Sequence, residues 1–267
     1  MATGRAIAQP AFVLHQWNWS ETSLILDLFT RDRGRIAVVA KGAKRPYSQL
    51  RPVLMPFQRL LVVTGKPKAE EGADILTLRT AEYAGAGATL PPARLFAGFY
   101  LNELLLKLLA RNDPHEQLFD AYADTLLALA QADDEAPLRA FELALLRETG
   151  VLPELGRNTT TQALVQPGRA YALKPEVGLV LHSAGAAAVA AAEPGGIDGT
   201  VWLALQQALA PLRLPSLRQA VAADLPQLKT QLRVLLHYHL ASAPLRTRLM
   251  MVEVRRLLDD PVLPSAS

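Results

Sequence analysis

The spacing of apolar residues along this chain changes near residue 90, and that change limits the folds open to it. Before it, apolar residues recur at every second position. Residues 23–30 place Leu24, Leu26 and Leu28 on one side and Asp27 on the other. Residues 34–41 place Ile36, Val38 and Ala40 opposite Arg35, Ala37, Val39 and Lys41. A period of two marks a strand with two different faces. Residues 11–15, 52–64 and 74–84 add three further strand-like runs, separated by short links rich in Gly, Pro and charge. About five short strands in 84 residues predict a small closed or nearly closed barrel.

After Pro91-Pro92 the period becomes helical. Leu95, Phe99, Leu104, Leu105 and Leu108 mark a first helix. Leu118, Tyr122, Leu126 and Leu129 mark a second over 115–130. Leu138, Phe141 and Leu145 mark a third over 137–149, with Gly150 placed to end it. Residues 153–182 interrupt this pattern. Short strands at 169–173 and 178–182 flank Lys174-Pro175-Glu176 and predict an inserted hairpin. Helices are expected again at 184–192, near 201–210, at 224–240 and at 244–258, followed by a flexible tail at 261–267. The fold class is α+β, with a barrel unit at 1–84 and a mainly helical unit at 85–267.

Charge is distributed as unevenly as structure. Residues 31–51 carry Arg31, Arg33, Arg35, Lys41, Lys44, Arg45 and Arg51 against Asp32 alone, a net charge of +6 in a chain whose total is +3. The strand-rich part is net positive, the middle of the chain is net negative, and the last 39 residues are positive again. The period-two rule puts Arg35 and Lys41 on one strand face, with Lys44 and Arg45 in the loop beyond Gly42. Cations at strand spacing and in flanking loops can follow a phosphate backbone. The same pattern also suits an edge strand guarded by charge. Of the nearby aromatics, Phe12 and Phe29 suit a core, whereas Tyr47, and after it Trp17 and Trp19, are candidates to stack on bases.

Catalytic chemistry finds little support. The five His residues, at 15, 115, 182, 237 and 239, are scattered, and His237 and His239 point to different sides of a helix. The Asp133-Asp134-Glu135 triplet precedes a helix, where negative charge suits the dipole. Phosphate-loop, dinucleotide, nucleophile-elbow and HExxH motifs are missing from the sequence. The chain contains no Cys, so it forms no disulfide and no thiolate zinc site. No apolar run reaches the roughly 18 residues of a membrane span, and the N-terminus lacks a signal-peptide pattern, so a cytoplasmic protein is expected. Arg139 stands among Leu138, Phe141, Leu145 and Leu146. An Arg beside an apolar pocket can hold a peptide carboxylate, but a salt bridge to Glu135 or Glu142 fits the spacing equally. Lys229, Arg233, Arg246, Arg248, Arg255 and Arg256 are a further basic group on amphipathic helices.

Several runs are similar to those of a known family. These are Ala11-Phe12-Val13-Leu14-His15, Trp19-Ser20-Glu21-Thr22-Ser23-Leu24, Gly34-Arg35-Ile36 and Ala40-Lys41-Gly42-Ala43-Lys44, then Tyr100-Leu101-Asn102-Glu103-Leu104-Leu105 and the stretch from Leu138 to Leu146. Together they resemble the RecO family of bacterial recombination mediators over about half the chain. The resemblance implies an OB-fold barrel, a helical C-terminal domain and no enzymatic turnover or cofactor. It implies a role in DNA repair at the nucleoid: binding and annealing single- and double-stranded DNA, joining RecR, and helping RecA load onto strands coated by the single-stranded-DNA-binding protein. It puts DNA contacts at Arg35, Lys41, Lys44 and Arg45, and it puts the acidic C-terminal tail of the coating protein on Arg139. Many relatives carry a four-Cys zinc module after the third helix. This chain lacks the ligands, so residues 153–182 are expected to form a zinc-free hairpin. A protein-only adaptor and an RNA-binding OB protein remain the alternative functions.

Overall fold

A computed structural model describes residues 8–65, 74–85, 87–131, 135–182, 195–240 and 244–259. The expected helix at 184–192, the tail at 261–267, most of the 65–72 link and Asp133-Asp134 lie outside these residues. Five strands close into a barrel: β1 (Gln9–Asn18), β2 (Leu24–Thr30), β3 (Gly34–Ala40), β4 (Leu60–Thr64) and β5 (Ile75–Tyr83). They are joined in the order β1-β2-β3-β5-β4. The β3–β5 pair is parallel and the other pairs are antiparallel. The run read as one strand over 52–64 is corrected. Residues Leu50–Val53 form a single helical turn, α1, and the strand starts only at Leu60. Pro52 and Pro56 supply no N–H to a ladder, so the chain cannot pair there.

The barrel interior takes one side of each alternating strand: Ala11, Val13, Leu26, Leu28, Ile36, Val38, Leu60 and Val62 are all buried in it. The opposite sides of β1 and β2 are buried too. Phe12, Leu14 and Phe29 belong to a second core shared with the helices. Phe12 and Phe29 pack on Phe119 and Tyr122, with ring centroids 5.0–6.1 Å apart. The barrel therefore has a wall facing protein.

A 3-10 turn at Pro92–Arg94 leads into α2 (Leu95–Leu108), followed by α3 (Glu116–Gln131) and α4 (Ala136–Glu148). Gly98 lets α2 approach the barrel, because a Cβ there would sit 2.6–2.8 Å from Leu90 and the Phe57 ring. Strands β6 (Ala170–Lys174) and β7 (Gly178–Leu181) form the expected hairpin, and a two-residue β8 (Ile197–Asp198) joins it to make a small sheet. Helices α5 (Gly199–Leu209), α6 (Leu214–Ala222), α7 (Leu225–His239) and α8 (Arg246–Asp259) complete the chain. The sequence reading missed α6. It has nine residues, and its apolar stripe of Leu214, Leu217, Ala220 and Val221 is short. The Asp198 carboxylate accepts from the Thr200 N–H at 2.7 Å and caps α5. Helix α4 is the centre of the helical unit. Ala136 to Leu146 is buried without a break, including two charged residues, Arg139 and Glu142.

Candidate nucleic-acid interface

The seven cations of residues 31–51 serve two purposes, and the fold separates them. Arg31 and Arg35 point at the helices. The Arg31 guanidinium meets Glu116 at 2.8 Å and Asp120 at 3.1 Å on α3. Arg35 donates through Nη1 to the carbonyls of Leu106 and Leu109 at the end of α2, and through Nε to Asp27 Oδ1 at 3.3 Å. A cation suits the negative end of a helix. Asp27 is 1 % exposed, and Arg111 completes the cluster at 3.7 Å. The structure thus places Arg35 at the seam between barrel and helices. Arg35 shares no open face with Lys41, and its charge is committed to holding barrel and helices together. Ala37 and Val39, on the same side of β3, are buried as well. Strand period assigns residues to sides; it does not say what covers a side.

Arg33 is exposed in the β2–β3 turn, whereas Lys41, Lys44, Arg45 and Arg51 gather at the other end of β3. Lys41 begins the turn after β3, where Gly42 takes φ +69°. Lys44 Nζ donates to the Ser20 carbonyl at 3.1 Å, and the Lys44 N–H donates to the Thr22 carbonyl. This ties the basic loop to the β1–β2 turn. Arg45 and Arg51 are exposed, and their guanidinium groups make no hydrogen bond or ion pair among the described residues. Tyr47 is 95 % exposed. Two adjoining depressions open here. One, of about 490 Å³, is lined by Trp17, Leu24, Lys44, Arg51, Leu54 and Met55 among others. The other, of about 540 Å³, is lined by Tyr47 and its neighbours and shares Arg51 and Met55 with the first. No Asp or Glu lines either one. The structure thus brings Lys44, Arg45 and Tyr47 together, with Lys41 on the same turn, and adds Arg51 and Trp17.

Arg139 lies far along the fold, on α4. It is 8 % exposed, and its Nη1 meets both Glu142 carboxylate oxygens, at 2.7 and 2.8 Å. The Tyr100 hydroxyl donates to Glu142 from α2. Burial pushes the Glu142 carboxyl up, against the pull of Arg139. Burial also disfavours the Arg139 charge, but Glu142 and Tyr100 outweigh it and keep the guanidinium above its ordinary range. The salt bridge read as one alternative is thus present. Leu138, Phe141, Leu145 and Leu146 beside it are filled core. Even so, Arg139 Nε is buried without a hydrogen-bond partner.

The C-terminal cations are dispersed. Lys229 pairs with Glu135 at 2.6 Å. Burial and the nearby Arg233 lower the Arg248 guanidinium. The side chain of Arg255 lies outside the described residues. The sequence reading gave no role to Asp27, Asn102 or Glu103. Asn102 bridges the Leu14 carbonyl and the Tyr122 hydroxyl. Glu103 accepts from the N–H groups of Arg246 and Thr247 at 2.8 and 2.9 Å and so caps α8. A polar pair inside an apolar helical stripe, or an acid inside a strand, was the available signal. Among the described residues no group of His, Asp and Glu is placed to hold a metal, and none of their helices is long and apolar enough to cross a membrane.

Comparison with known proteins covers both units. A model of the N-terminal part of recombination protein O matches residues 4–84, and one of its C-terminal part matches residues 92–249. The chain is 46 % identical over 264 residues to a DNA repair protein RecO of Polaromonas sp., covering 96 % of this chain and 100 % of that protein. It is 47 % identical over 263 residues to the protein of that name in Verminephrobacter eiseniae, with the same coverage. It is 46 % identical over 270 residues to that of Acidovorax ebreus, again covering 96 % and 100 %.

Proposed function

The chain belongs to the RecO family, and on that premise we propose that it is a non-enzymatic recombination mediator of DNA repair. In this reading two units, residues 1–84 and 85–267, divide the work in the cytoplasm, at the nucleoid. The barrel end binds single- and double-stranded DNA through Lys41, Lys44 and Arg45, with Tyr47 stacking on a base. Cations between two strands lower their mutual repulsion, so complementary bases can meet and anneal. The helical unit joins RecR and takes the acidic C-terminal tail of the single-stranded-DNA-binding protein on Arg139. Together they bring the complex to covered DNA and help RecA load there. Arg35 is no longer among the proposed contacts, because its charge is already engaged.

The observation that carries this reading is the barrel end itself: exposed cations beside exposed aromatics, around depressions lined by no acid. For the tail, the support is the unused buried donor at Arg139 Nε. Filter binding to oligonucleotides across a salt series tests the DNA reading. Lys44→Ala or Arg45→Ala is expected to weaken binding of every sequence and to flatten the salt dependence by about 0.7 per lost contact on single strands. Unchanged affinity and slope would instead favour a protein-only adaptor. RNA outcompeting DNA of equal sequence would favour an RNA-binding protein, since only the 2′-OH differs along the backbone.

A further inference from the structure

The cleft between the end of β1 and the loop after β3 combines three features that backbone binding alone does not require. Its floor is apolar: Leu24, Ala43 and Leu54 continue the barrel core up to the surface. Its wall is aromatic. Trp17 is 42 % exposed, yet its backbone is held in the ladder opposite Ile25, and its ring stands edge-on to His15 with centroids 4.4 Å apart. Its rim is cationic, with Lys44 anchored on the Ser20 carbonyl and Arg51 unpaired among the described residues. Met55, also exposed, faces the same cleft and is shared with the depression that holds Tyr47.

We propose that this cleft binds one unpaired nucleobase against Trp17 while Lys44 and Arg51 hold the flanking phosphates. The proposal rests on the DNA reading of the same surface and adds the form of DNA that the surface selects. A base within a duplex has both faces stacked and its edge paired, so it offers nothing to an apolar cleft until it leaves the helix. A single strand offers its bases at much lower cost. At about 490 Å³ the cleft lies within the roughly 300–1,000 Å³ range of small-ligand sites. The charge is also right for this occupant, since an acid in the lining would repel the phosphates and there is none. Tyr47, in the adjoining depression, offers a second stacking surface to a neighbouring base.

Tryptophan fluorescence of the full chain provides the test. The chain has three Trp residues, and Trp202 is fully buried, so a change on adding DNA reports Trp17 or Trp19. In a Trp19→Phe background, oligothymidine is expected to quench the emission in step with binding, and an equal-length duplex is expected to leave it unchanged. Trp17→Ala should weaken oligothymidine binding about 10-fold and change duplex binding by less than about 2-fold, while Trp17→Phe retains most of the affinity. Trp17→Leu, which keeps apolar bulk but offers no aromatic face, should give the same selective loss if Trp17→Ala proves unstable. Equal losses on both DNA forms, or none on either, would overturn the base site and leave the DNA reading standing. Failure of the unmodified chain to bind any oligonucleotide would overturn that reading, and the base site with it.

Discussion

Replacing Arg35 with Ala separates two roles that the sequence leaves superimposed. In the fold, Arg35 loses three partners at once: Asp27 Oδ1 at 3.3 Å and the carbonyls of Leu106 and Leu109. Asp27 is 1 % exposed and, among the described residues, keeps Arg111 alone as an ion-pair partner, at 3.7 Å. Stripping one partner from a buried pair costs about 3–5 kcal/mol, and the remaining Arg111 places this case near the lower end. Two helix-end carbonyls left without a donor add about 1 kcal/mol each where water cannot reach them. The expected loss is therefore about 3–5 kcal/mol. At roughly 2–4 °C per kcal/mol for a chain of this size, the melting temperature falls by about 10 °C. Thermal unfolding followed by circular dichroism reads that shift. Asp27→Asn combined with Arg35→Met should recover part of it, because no buried charge is then left alone. Filter binding on the same Arg35→Ala protein, below its melting temperature, should show an unchanged salt slope. A melting temperature like that of the unmodified chain together with a slope reduced by about 0.7 would refute the reasoning and return Arg35 to the DNA.

Three further outcomes are expected. Arg139→Ala should bind an acidic tail peptide at least about 10-fold more weakly by fluorescence anisotropy while keeping naked-DNA binding; it should also lose about 3 kcal/mol of stability, because Glu142 stays buried, and unaltered peptide affinity would refute the tail site. Gly34→Ala should destabilise the chain by about 2–4 kcal/mol in urea unfolding, since Gly34 has φ +65° and a Cβ would lie 1.7 Å from the Asp113 carbonyl oxygen; a neutral result would show that this turn and the α2–α3 loop are not in contact. Burial works against the Glu103 charge, but the donors of Thr247 and Arg246 outweigh it and lower its carboxyl below the ordinary value of 4.5. Its contribution is thus present above about pH 4.5 and is lost as pH falls through the folded-state value. Protection factors of the Arg246 and Thr247 amides, taken relative to the intrinsic exchange rate at each pH, should fall on acidification, and Glu103→Gln should abolish that dependence while costing about 1 kcal/mol.

The barrel was legible because each strand has a distinct inner side, and alternation survives in the sequence wherever that side is buried. Helices α2, α3 and α4 were legible for the same reason at a different period. What could not be read was the cover on the outer side. Phe12, Leu14 and Phe29 give β1 and β2 a second buried face, yet in sequence they look like ordinary strand residues. The 52–64 run looked like one strand because its apolar content hid two prolines that break the ladder. Helix α6 is too short to announce itself, and its stripe is buried largely by α4 and α5.

The candidate site divides in the same way. The sequence by itself determined that residues 31–51 concentrate positive charge, that aromatics lie close by, and that no thiol ligand exists for zinc. Those are properties of composition and spacing, and no folding alters them. Only the tertiary structure decided which cations face solvent. Arg31 and Arg35 turn toward α2 and α3, where carboxylates and helix-end carbonyls satisfy them. Lys44, Arg45 and Arg51 stay at the open end, around a cleft that Trp17 reaches from β1 across a closed sheet. A charge is free to meet a phosphate only if no nearer partner has been folded against it, and apart from Asp27 the hydrogen-bond partners of the Arg31 and Arg35 side chains here stand 71 to 89 residues away along the chain.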